Sequence, residues 1–167
     1  MKEKNKLFIP YVITLIGTIM MFLLLVLPFT TATDEYAERL DRFADTEVYK
    51  GLSLTCADVK NVSLVDYARI YVAVGENFWK NEYAGWIYAG LIAAIGLFSL
   101  IAVIKAIRKK PIGIIISTIF TVITVAIFNW DLSARHVVQN ENYVWGVAHY
   151  LSLIHISEPT RRSYISY

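Results

Sequence analysis

Long runs without charge dominate the chain and set its expected elements. Leu7–Leu27 holds 21 residues without a charged side chain. That is about 31 Å of helix, enough to cross a hydrocarbon core. Pro10 falls in its first turn, where a missing N–H costs little, and Pro28 follows its end. Tyr83–Ile104 is a second uncharged run and Ile112–Phe128 a third. The third is rich in β-branched residues, yet an unbroken run of that length suits a membrane helix better than a strand. Asn142–Tyr150 opens another apolar passage, which reads as the first turns of a fourth span.

The expected fold class is therefore an all-α integral membrane protein. It is a four-helix transmembrane bundle, its fourth helix truncated, with a partly helical extracytoplasmic loop module. The segments are a cytoplasmic arm (1–6), a first span (7–27), the loop module (28–82), a second span (83–104), a basic loop (105–111), a third span (112–128), a second outer loop (129–142) and the start of a fourth span (143–150). A cleavable signal sequence is the rival for the first span, because Thr30-Thr31-Ala32 offers small residues after a basic start. The apolar run is longer than such signals use.

The end of the chain breaks the pattern. Its eleven residues LSLIHISEPTR, from Leu151, resemble the translation of a transposase adapter used in sequencing libraries. We expect 151–167 to be non-native read-through, with the authentic chain continuing past Tyr150. His155, Glu158, Arg161 and Arg162 then carry no function, and the net charge falls from +2 to +1.

Orientation follows from the cations. Lys2, Lys4 and Lys6 outweigh Glu3 in the N-terminal arm, and KAIRKKP holds Lys105, Arg108, Lys109 and Lys110. Thr33–Glu82 carries six cations against ten carboxylates. Short basic segments stay cytoplasmic, so the N-terminus and KAIRKKP lie inside a cell membrane and both longer loops outside. Trp79, Trp86, Trp130 and Trp145 all fall near the same outer interface and act as anchors there.

The first outer loop is patterned for helix. Thr33 is placed to cap one, with Tyr36, Leu40 and Phe43 along a face. Ser63 with Asp66 makes a capping-box start for another, ended by Gly75. Leu64, Tyr67, Ala68 and Tyr71 line its face. Val48–Cys56 reads as a short strand or turn-rich link. Tyr36, Phe43, Tyr67 and Tyr71 are the candidate partner-binding residues. Within the spans, Gly85, Ala89 and Ala93, with Gly113 and Ser117, form small-residue faces for helix packing, and Thr118, Thr121 and Thr124 offer interhelical hydrogen bonds.

Candidate chemistry is sparse. The single Cys56 excludes an intrachain disulfide and a Cys-rich zinc site. The acidic row Glu35, Glu38, Asp41 and Asp45 lacks calcium-loop spacing, and Asn61-Val62-Ser63 is only a weak glycosylation pattern. Asp131, Arg135 and His136 read as headgroup-level anchors rather than a catalytic set. His149 is the one ionisable residue in the expected spans. No catalytic, cofactor-binding or metal-ligating residue is expected, so no cofactor is either. The expected partners are the lipid bilayer and another membrane or extracytoplasmic protein, with no nucleic acid. The expected function is a non-enzymatic accessory or sensory subunit whose first outer loop binds a partner. A small transporter or channel subunit using His149 is the alternative, and a membrane enzyme ranks third.

Overall fold

The computed structural model describes residues 2–79 and 82–152, with side chains for 11–75 and 83–152. The fold is mostly helical. Helix α1 (Lys2–Leu23) is followed by strand β1 (Pro28–Ala32), helix α2 (Asp34–Asp41), a 3-10 turn (Asp58–Lys60), strand β2 (Asn61–Ser63), helix α3 (Leu64–Trp79), helix α4 (Glu82–Ile107), helix α5 (Pro111–Ala134) and strand β3 (Tyr143–Trp145). A further helical stretch covers 147–152. Two helices, α4 and α5, are long and apolar enough to cross a membrane, and α1 contributes a shorter apolar stretch, Tyr11–Leu23.

Helix α4 is the hub, packed against α1, α3 and α5. Its buried residues Ile92, Ile95, Ser99, Ala102 and Ala106 recur at alternating steps of three and four. Gly85 and Tyr88 continue that register toward the helix start. This repeat lays a buried seam along one side of α4. On α5 the matching buried positions are Ser117, Thr121, Thr124 and Phe128. Three of the hydroxyls on this seam bond within their own helices. Thr121 donates to the Ser117 carbonyl at 3.0 Å, Thr124 to Phe120 at 2.7 Å and Ser99 to Gly96 at 2.9 Å. They are not the interhelical bonds the sequence led us to expect.

The small-residue reading is corrected in the same way. A strict four-residue repeat drifts around a helix of 3.6 residues per turn. Only Gly85 of its set is buried, while Ala89 is half-buried and Ala93 exposed. Ser117 is buried and Gly113 half-buried under the Lys105 side chain.

Three short strands give the fold a sheet that the all-α reading did not contain. The order is β2-β1-β3, both pairs antiparallel, with Thr30 opposite Val62 on one side and Trp145 on the other. Thr30-Thr31-Ala32 is thus part of the central strand. Residues 143–145, expected to begin a fourth span, form the edge strand, and helix resumes only at 147. Helix α5 also continues to Ala134, past the end expected at 128.

The loop helices are placed well and bounded less well. Ser63 caps α3 as read. Its hydroxyl accepts from the Asp66 N–H at 3.2 Å, and the Asp66 carboxylate accepts from the Ser63 N–H at 3.1 Å. Gly75 does not stop that helix, which runs on to Trp79. Thr33 makes no side-chain cap on α2; its hydroxyl donates instead to the Glu141 carbonyl at 2.8 Å. Helix α2 ends at Asp41, so Phe43 lies beyond it. Val48–Cys56 is the turn-rich alternative, closed by a single bridge between Glu47 and Thr55.

Helices α3 and α4 approach closely at Gly85, where an added Cβ would collide with the Tyr71 carbonyl oxygen of α3. Gly90, five residues on, has nothing within 4 Å. Gly85→Ala is therefore expected to destabilise by about 1–3 kcal/mol through overpacking. Gly90→Ala should be neutral or gain up to about 1 kcal/mol from helix propensity. Thermal unfolding of the two variants in the same detergent separates them.

Candidate functional site

Helix α3 presents one face to α4 and the other to the loop module, and the second face borders two adjoining cavities. The first, about 320 Å³, lies among Tyr67, Ile70, Tyr71, Val74, Gly75, Arg135 and Val137. The second, about 310 Å³, is lined by Tyr36, Leu40, Glu47, Val48, Cys56, Val59, Val62, Tyr67, Ile70, Val137 and Tyr143. Tyr67, Ile70 and Val137 belong to both, so the two form neighbouring halves of one apolar cleft. Each half alone is at the low end of small-molecule sites.

The walls are held by a run of aromatic contacts. Tyr67 stacks on Tyr71 with ring centres 5.9 Å apart, and Tyr71 lies 5.0 Å from Tyr88 of α4. Tyr67 also meets Phe128 of α5 edge-on at 5.8 Å. On the loop side Tyr36 meets Tyr143 edge-on at 5.3 Å. Pairs at these separations contribute beyond their burial alone. The phenol hydroxyls find partners: Tyr67 and Thr30 share a buried hydrogen bond of 2.8 Å, and Tyr143 donates to the Val59 carbonyl at 2.9 Å.

Charge enters at one end. Arg135 donates to Asp131 at 2.7 Å and lays its guanidinium over the Tyr88 ring, 4.4 Å from the centroid. Tyr88 donates to the same Asp131 oxygen at 3.2 Å. An arginine so paired and stacked keeps its charge while its planar face covers aromatic surface. Burial raises the pKa of Tyr67, Tyr71 and Tyr143, keeping these phenols neutral. Tyr67 is pushed up to about 12, with the Thr30 hydrogen bond pulling the other way. Tyr71 and Tyr143 move in the same direction, each mainly by desolvation. Among the described residues, no group of three or more His, Cys, Asp or Glu is arranged to hold a metal ion.

Three of the four predicted partner-binding residues converge here, but as walls. Tyr67 and Tyr71 are only 6% and 8% exposed, and Tyr36 is half-buried. Phe43 stands apart at 63% exposure. Trp86 and Trp130 are exposed, as interface anchors would be. Trp145 instead stacks on His149, ring centres 3.9 Å apart, with Phe29 edge-on to both. The side chain of Trp79 and the adapter-like stretch beyond Ser152 lie outside the described residues.

Sequence reasoning missed Ile70, Val137 and Tyr143 as members of the cleft, and Tyr88 packed behind its wall. Tyr88 had a usable signal, its place on the three-and-four repeat of α4. Tyr143 had none, because its strand is three residues long. Asp131 and Arg135 were singled out as anchors, and their four-residue spacing does foreshadow the pair.

Tyr67→Phe removes the hydrogen bond to Thr30 and should cost about 1–2 kcal/mol. The alkaline limb carries a second expectation. A phenol whose pKa is raised on folding stabilises fully below its unfolded value of 10. That contribution is lost as pH climbs toward about 12. Unfolding temperature should fall across that window in the parent chain and fall less steeply in Tyr67→Phe. The chain matches no protein-family model, no curated protein and no solved structure.

Proposed function

We propose that the chain is a non-enzymatic integral membrane protein, an accessory or sensory subunit whose extracytoplasmic module binds a partner protein. The carrying observation is the outward apolar surface of the long helices. Only 22% of the most apolar window of α4 and 28% of that of α5 are buried. Ile87, Leu97, Ile112, Ile115, Ile119 and Ile123 are each at least half exposed. A core helix of a water-soluble domain is buried; an apolar patch of this extent needs lipid or another apolar partner.

The four-span topology with a cytoplasmic N-terminus rests on the charge asymmetry between KAIRKKP and the acidic outer loop. In this reading α1, α4 and α5 cross the bilayer and the helix from 147 begins a fourth span. The sheet, α2, α3 and the cleft stand on the outer face. The partner surface is the edge beyond α2, where Phe43, Val48 and Tyr49 are exposed. Tyr67 and Tyr71 support that edge from within.

Two measurements test this. In a Cys56→Ser background, Val48→Cys should react with a membrane-impermeant maleimide in intact cells. Lys110→Cys should react only after permeabilisation; the reverse pattern would invert the topology, and recovery in the soluble fraction would remove the membrane reading. Phe43→Asp should abolish cross-linking to the partner with less than about 0.5 kcal/mol change in stability, as for other exposed sites. Unchanged cross-linking would exclude this edge.

A further inference from the structure

The turn between α4 and α5 is built against its own conformational preference. Lys109 has φ 53°, the left-handed region in which a Cβ is crowded and glycine is the usual occupant. The Lys110 N–H donates to the Lys105 carbonyl and the Lys109 N–H to Ala106, both at 3.0 Å. These are the paired bonds of a glycine-type helix stop. Pro111 then opens α5 at its first turn. Glycine at 109 would make the same bonds with less crowding, yet the position carries a cation.

That cation joins others. Arg108, Lys109 and Lys110 are exposed. Lys109 Nζ lies 5.2 Å from the centre of the Tyr11 ring, so α1 borders the same surface. The aliphatic stem of Lys105 crosses to α5 over Gly113, 3.0 Å from where a Cβ would sit. Among the described residues, no ion pair includes any of these four cations. Beside them Ile107 and Ile112 are 60% and 74% exposed.

A cluster of cations joined to bare isoleucines is complementary to one kind of molecule. A free phosphate would neutralise the charge and leave the isoleucines uncovered. An acidic protein surface would do the same. An amphiphile with an anionic head and aliphatic chains satisfies both parts. We propose that the α4–α5 turn binds an anionic phospholipid, its phosphate held by Lys105, Arg108, Lys109 and Lys110 and its acyl chains lying on Ile107 and Ile112. The proposal rests on the membrane-spanning reading above, though not on its orientation.

The test uses the full chain in detergent, exchanged against dioleoylphosphatidylcholine or dioleoylphosphatidylglycerol, with retained lipid counted by mass spectrometry. Phosphatidylglycerol should be retained preferentially. Lys109→Gly should lower that preference about fivefold, the effect of one basic residue at a charged lipid surface. Its unfolding temperature in detergent alone should be unchanged or higher, because the turn is relieved. Lys109→Arg should keep the preference. Equal retention of the two lipids, or full preference in Lys109→Gly, would overturn the proposal. So would inorganic phosphate reproducing the stabilisation given by phosphatidylglycerol. Failure to float with vesicles of either lipid would overturn it together with the membrane reading, whereas floating with both and preferring neither overturns the lipid site alone.

Discussion

Strand β1 has both edges hydrogen-bonded, to β2 on one side and β3 on the other, directly after the end of α1. Segments distant in sequence are thereby held at one level of the molecule. Two of its side chains, Phe29 and Thr30, are fully buried. Phe29 meets Phe128 of α5 edge-on, while Thr30 bonds the Tyr67 hydroxyl of α3. The Phe29 carbonyl accepts from the Gly146 N–H at 2.8 Å, and the Pro28 carbonyl leaves no space for a Cβ at residue 146. A strand this short is not stable alone. Here it persists because each of its faces and edges is covered by a different element, and each of those elements is oriented by it.

The cleft follows from that arrangement. With Tyr67 fixed by Thr30, α3 is held in rotation about its axis. Tyr71, one turn on, then faces Tyr88, and Ile70 faces the loop. The contact at Gly85 sets how closely α3 lies against α4. The Asp131–Arg135 pair closes the far end by stacking on Tyr88. The cavities are therefore the space left between a helix positioned from one side by β1 and α4, and a loop anchored from the other by the Tyr143–Val59 bond and the Thr33–Glu141 bond. Their walls are interior surface, which is why Tyr67 and Tyr71, strong as candidates on an isolated amphipathic helix, do not face a partner directly.

Legibility in the sequence tracked the length of the signal. The uncharged runs that became α4 and α5 were readable because every residue along several turns carries the same message. The α3 start was readable because Ser63 and Asp66 satisfy backbone groups locally. The sheet was not, because short strands paired between positions as distant as Thr30 and Trp145 leave no local period. Tyr143–Trp145 looked like the start of a helix since its composition is equally apolar in either state. The helix seam was readable in kind but misplaced, because the four-residue repeat of Gly85, Ala89 and Ala93 diverges from the alternating repeat that packing uses.

The two ends of the helical hairpin differ in how they treat charge. At the end of α5 the ionic contacts among the described residues are internal: Arg135 is engaged by Asp131 and Tyr88, and the module around it pairs Lys60 with Asp41 and Arg39 with Glu35. At the α4–α5 turn, cations sit on strained or exposed backbone beside bare isoleucines. Charge left outside the network of described ion pairs is available for the surroundings. The same chain thus separates an aromatic, ion-paired module from an open cationic turn. That division follows from where its acidic residues fall: ten lie between Thr33 and Glu82, and none between Tyr83 and Trp130.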